Sequence, residues 1–110
     1  MYLLATLEAR PQFLDTLLAE LDHMVAHSRS EPGTLQYEVF TDLENGSRIT
    51  VFERYTDAAA VQAHLDSAPL QTLFAKFEHY LSAPPTLLRM TRREGFLREG
   101  LANAPAVELK

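Results

Sequence analysis

The order in which the hydrophobic period changes along this chain constrains its fold more than any other feature. Tyr2 to Glu8 is an apolar run of strand length, closed by Ala9-Arg10-Pro11. Phe13, Leu14, Leu17, Leu18, Leu21, Met24 and Val25 then recur every three or four residues, which predicts an amphipathic helix to about Ser28. Pro11 suits its first turn, where the missing N–H costs nothing. Glu31-Pro32-Gly33 ends that pattern and a period of two begins. From Thr34 to Thr41, Leu35, Tyr37 and Val39 point one way, and Gln36, Glu38 and Phe40 the other. Asn45-Gly46 predicts a hairpin turn, because both residues tolerate positive φ. The return strand, Arg48 to Tyr55, sets Ile49, Val51, Glu53 and Tyr55 on one face and Thr50, Phe52 and Arg54 on the other. Asp57 is placed to cap a helix from Ala58 to about Ala68. Pro69 restarts the helix in a new direction, with Leu70, Leu73, Phe74, Phe77 and Leu81 as its stripe, until Ser82-Ala83-Pro84-Pro85 stops it. Thr86 to Thr91 predicts a fourth strand.

The order is β-α-β-β-α-β, an α+β ferredoxin-like split βαβ arrangement. Two helices cover one face of such a sheet. The other face also carries apolar side chains, so a partner's sheet is expected to cover it and make a homodimer. At 110 residues the chain is the size of one domain that buries about two-thirds of its unfolded surface, which an interface would supplement. That domain is expected over residues 1–91. Residues 92–110, with Gly95, Gly100 and Pro105 and no sustained period, form a C-terminal extension. It is expected to make a short helix around Phe96 and an extended arm that swaps onto the partner, or to stay mobile.

Composition narrows the function classes. The net charge of −5, with both signs mixed, disfavours nucleic acid and anionic membranes, which demand a basic surface. There is no cysteine, which excludes disulfides, thiolate metal sites and cysteine nucleophiles. The opening Met-Tyr-Leu-Leu-Ala-Thr-Leu-Glu has no basic n-region and meets Glu8 too early for a signal peptide, and no apolar run approaches the ~20 residues of a membrane span. A cytoplasmic protein is the expectation.

Two residues break the apolar pattern. His64 falls on the edge of the stripe defined by Ala58, Val61, Leu65 and Ala68, where a half-buried imidazole can act as a general base near neutral pH. The alternative is a structural histidine bonded to backbone or water. Glu53 sits between Val51 and Tyr55 on an otherwise apolar face, so it is either paired by an arginine or tyrosine or lines a wet cavity. Tyr37 and Tyr55 share the apolar faces of the paired strands and can aim hydroxyls into the same space. His23 and His27 have the i,i+4 spacing of a helical metal pair. His23 projects opposite the apolar stripe, His27 lies at its margin and no third ligand is evident, so no metal is expected. Arg89, Arg92, Arg93 and Arg98, amid Glu94 and Glu99, read as a solvated charged surface.

Taken together, Glu31-Pro32-Gly33 with Tyr37, then Glu53-Arg54-Tyr55, Asp57, Ala59 or Ala60, His64 and Ser67, resemble the antibiotic biosynthesis monooxygenase family, and its quinol-monooxygenase-like members most. The resemblance covers about residues 1–91. It implies a dimeric α+β barrel in which two four-stranded sheets pack face to face. It also implies oxidation of a small phenol or quinol by molecular oxygen without flavin, haem or metal. His64 would be the proton acceptor, Glu53 would orient it or anchor substrate, and Tyr37 and Tyr55 would bind the oxygenated ring. A haem-degrading branch fits less well. It expects an asparagine on the first strand, where Ala5, Thr6 and Leu7 stand, and a tryptophan on the second helix, and this chain has no tryptophan. The position of that branch's iron-ligating histidine corresponds to Phe74. Two other functions stay open: an isomerase or proton-transfer enzyme on a small carbonyl compound, and a non-catalytic dimeric ligand-binding stress protein.

Overall fold

A computed structural model describes residues 1–98. β1 (Tyr2–Glu8) leads through a single 3-10 turn, Pro11–Phe13, into α1 (Leu14–Ser30). β2 (Thr34–Thr41) and β3 (Arg48–Tyr55) follow, then α2 (Ala58–Leu65), α3 (Ala68–Phe74), the one-turn α4 (Phe77–Tyr80) and β4 (Thr86–Met90). The sheet order is β2-β3-β1-β4, with every neighbouring pair antiparallel. This is the expected ferredoxin-like α+β arrangement.

Pleating explains which side chains meet. Leu3 and Tyr37 flank Glu53 across β3, Ala5 and Val39 flank Val51, and Leu7 pairs with Ile49. These residues form the face under the helices. Leu17, Leu21 and Met24 of α1 and Leu70 and Leu73 of α3 close over them, all buried. Each such side chain stabilises the fold by roughly 1.5–3 kcal/mol. The opposite face holds Leu4, Phe52 and, on the outer strands, Phe40 and Leu88, which are 48% and 55% exposed. Among the described residues the segment 91–97 borders this face at its Tyr2, Phe52 and Arg54 end, and its Phe40 and Leu88 stay open.

Several local expectations change. The β2–β3 connection spans residues 42–47, too long for a two-residue turn, and neither Asn45 nor Gly46 has positive φ. Instead the Asp42 carboxylate accepts from the amides of Glu44 and Asn45, at 2.7 and 3.1 Å, and Asn45 Oδ1 accepts from Ser47. The pairing register of β2 shifts between Thr34 and Gln36, which turns Leu35 out of the core to 54% exposure. The helix expected from Pro69 to Leu81 is interrupted at Ala75 and Lys76, and β4 ends at Met90. Phe96 is not helical: Gly95 at φ +147° breaks the chain into irregular backbone, with Phe96 and Leu97 largely exposed. The arm expected beyond residue 98 lies outside the described residues. Among the described residues no helix is long and apolar enough to cross a membrane.

Candidate functional site

The sheet's one buried carboxylate and the helices' one buried imidazole meet. β3 alternation aims Glu53 at the helices, 5% exposed. The Asp57 side chain accepts from the Ala60 amide at 2.8 Å and starts α2 in a fixed phase, which carries His64 inward one turn beyond Ala60. His64 is 2% exposed, deeper than the edge position expected for it. Its greater burial has a clear cause. The Glu31 turn covers it from one side, while the bend from α2 into α3 brings Leu70 and Leu73 around the cavity on the other.

Glu31 is the site residue that the sequence pattern does not reveal, because a helix end before Pro32-Gly33 accounts for it locally. His64 Nδ1 lies 2.7 Å from Glu31 Oε1. A carboxylate only accepts, so Nδ1 carries the hydrogen, and in the neutral ring Nε2 is left as an acceptor. His64 Nε2 is 3.6 Å from Glu53 Oε1, and that same oxygen accepts a 2.5 Å hydrogen bond from the Tyr55 hydroxyl. The Tyr37 and Tyr55 rings lie 5.5 and 5.4 Å from the imidazole, centre to centre.

The close approach of the Glu31 turn to α2 depends on glycine. A Cβ on Gly33 would sit 2.5 Å from Ala60 Cβ, although Gly33 does not have positive φ. Here glycine serves space rather than dihedral freedom.

Burial, opposed by the Tyr55 hydrogen bond and the nearby imidazole, raises the Glu53 carboxyl above the ordinary range; the Glu31 charge adds to the rise. The Tyr37 hydroxyl is raised by burial first, then by the charges of Glu53 and Glu31, so it stays protonated as a donor. Tyr55 is raised by burial and by its bond to Glu53.

His64, Glu53 and Tyr37 line one cavity of about 170 Å³ between sheet and helices. The rest of its wall is mostly leucine and phenylalanine from β1, α1, α3 and α4, with Leu87 from β4. An apolar cavity of about 150 Å³ is enough for benzene, so a single aromatic ring fits this one. Among the described residues no lysine or arginine lines it. Tyr55, expected to bind substrate, stands behind Glu53 and is not part of the cavity wall; its hydroxyl is committed to the carboxylate. Of the two histidines with metal-pair spacing, His23 borders a separate groove with Glu20 and Lys76, and His27 turns away from it toward Glu31.

Known proteins share both the sequence and this frame. Residues 1–83 match the family described as antibiotic biosynthesis monooxygenase. Over 85 residues the chain is 32% identical to a Bacillus subtilis (strain 168) protein called "Putative monooxygenase YcnE", covering 77% of this chain and 90% of that one. The crystal structure of PA3566 from Pseudomonas aeruginosa superposes with a TM-score of 0.78 at 28% identity, over 84% of this chain and 93% of that one. A crystal structure titled antibiotic biosynthesis monooxygenase reaches 0.80 at 22% identity, over 84% and 98%, a likeness of fold. Sequence and fold agree: the chain belongs to the antibiotic biosynthesis monooxygenase family.

Proposed function

We propose that this protein is a cofactor-independent monooxygenase that oxidises a small phenol- or quinol-type aromatic with molecular oxygen, with His64 as proton acceptor. One observation carries the reading: an imidazole, its Nδ1–H donated to Glu31, shares the wall of a ring-sized apolar cavity with Glu53 and Tyr37. In this scheme His64 Nε2 takes the proton of a substrate hydroxyl. The phenolate then passes one electron to oxygen, and the phenoxyl and superoxide radicals combine into a peroxide. Loss of water leaves one oxygen atom on the ring as a quinone carbonyl. Glu53 accepts from the Nε2–H that results, and the Tyr37 hydroxyl donates to the developing oxyanion. Tyr55 holds Glu53 in place and does not touch substrate. Leucine and phenylalanine keep bulk water from the radical pair.

Among the described residues no lysine or arginine lines the cavity, and two carboxylates bracket its imidazole, so phosphorylated or carboxylated substrates find no fixed counter-charge there. The open sheet face with Phe40 and Leu88 favours a homodimer as the working form. Oxygen uptake against a panel of monocyclic and bicyclic quinols tests the reaction. The wild type is expected to consume oxygen, and His64→Ala to lose about 10²–10⁴-fold in turnover while folding normally. A wild type that consumes no oxygen with any of them refutes the assignment.

A further inference from the structure

His27 takes no part in the site as described, yet its ring is aimed at it. It lies in the last turn of α1, where the helix dipole favours a positive charge, four residues before Glu31. Its Nε2 is buried, has no hydrogen-bond partner among the described residues, and lies 3.6 Å from Glu31 Oε2. The other oxygen of that carboxylate binds His64. Side-chain exposure rises in order along the three residues, 2% at His64, 17% at Glu31 and 28% at His27. Three proton-carrying groups therefore lead from the cavity wall to the surface.

We propose that Glu31 and His27 form a proton relay connecting His64 to solvent. The need for it rests on His64 being the proton acceptor. Substrate in the cavity faces Nε2 and separates it from water, so the proton has to leave from Nδ1. As Nε2 gains a proton from the substrate hydroxyl, Nδ1 passes its own to Glu31 Oε1, and the ring stays neutral. The protonated Glu31 carboxyl then turns to present that proton to His27 Nε2 as the two side chains close their gap, and His27 releases its Nδ1 proton to water. The reverse sequence returns a proton to reduced oxygen, so one proton enters and one leaves at every step and no electrons move along the path. The remaining groups around His64 offer no second exit. Tyr37 and Tyr55 hold their protons, and Glu53 lies on the Nε2 side, capped by Tyr55. Glu31 is thus a positioning residue for His64 as well as a carrier.

The relay can be tested without turnover, with benzene filling the cavity so that Nε2 is cut off from water as it is by substrate. In protein labelled with 15N-histidine, exchange of the His64 Nδ1 proton with water is read by NMR in wild type, His27→Gln and Glu31→Gln. The relay predicts exchange about tenfold or more slower in both variants, and a rate in His27→Gln within about twofold of wild type overturns it. Quinol turnover adds a second readout. His27→Gln is expected to lower kcat at unchanged KM, and imidazole buffer to restore it by carrying protons in place of the missing ring. A loss that imidazole does not repair also counts against the relay. If exchange slows in the variants while the wild type oxidises no quinol, the relay stands and the proposed reaction falls.

Discussion

Gly33→Ala is the perturbation that bears hardest on the link between fold and site. The new methyl would lie 2.5 Å from Ala60 Cβ and 3.3 Å from Thr56 Oγ1. Carbon atoms pack at about 3.5–4.0 Å, so the methyl arrives about 1 Å too close. Ala60 Cβ sits directly on the α2 backbone and cannot rotate away, so the turn or the helix has to shift. Overpacking of this kind costs about 1–3 kcal/mol, which exceeds the roughly 0.4–1 kcal/mol that alanine returns by restricting the unfolded chain. Each kcal/mol lowers the melting temperature of a domain this size by about 4–8 °C. Glu31 lies just before the clash and His64 one helical turn after it, so their 2.7 Å contact opens with it. A misplacement of about 1 Å can cost about 10²-fold in turnover. Ala60→Gly removes the facing methyl at about 1 kcal/mol of helix propensity. Thermal melts of the four proteins of this double-mutant cycle check the argument. The double variant should melt near Ala60→Gly alone, a coupling of about 0.5–3 kcal/mol. Gly33→Ala melting with wild type, or a double variant at the sum of the singles, refutes the close-approach explanation.

Three further outcomes follow from the same geometry. Glu53→Gln should raise stability at neutral pH. The folded carboxyl is raised above its ordinary 4.5, so its contribution is favourable below the unfolded value and lost as pH rises through the folded one; urea melts across that range should show the variant's advantage shrinking as pH falls, and an advantage that grows instead contradicts the assignment. Tyr55→Phe leaves Glu53 buried without its donor and should cost about 1–3 kcal/mol, more at pH 8 than at pH 5, with substrate KM nearly unchanged because Tyr55 lies behind the cavity wall; a KM effect larger than the kcat effect would place it against substrate after all. Asp57→Ala removes the cap on the Ala60 amide and should cost about 0.5–2 kcal/mol by denaturant melt.

The strands and helices were legible because burial imposes a period that the sequence must carry. Ile49, Val51, Glu53 and Tyr55 are all buried, as alternation predicts. The same alternation failed at Leu35, since a register shift is a property of two strands and leaves no mark on one. His64, Glu53 and Tyr37 were legible as candidates because each puts polarity where the local pattern demands none. Glu31 was not, because its partner lies 33 residues away and a helix end before Pro-Gly accounts for it locally. Its i,i+4 relation to His27 was the available signal. Tyr55 could be placed on the correct face beside Glu53, but which of Glu53's possible partners takes the carboxylate depends on side-chain rotamers that alternation does not fix.

In the proposed reaction oxygen itself enters the product, and isotopes follow it there. Purified protein is given a monocyclic quinol under 18O2 in one reaction and under anaerobic D2O in another, with products read by mass spectrometry. A monooxygenase incorporates one 18O atom into the quinone and does nothing without oxygen. Anaerobic turnover with deuterium in the product, and no 18O in the aerobic reaction, would contradict it and make the same His64 and Glu53 the centre of a proton-transfer enzyme.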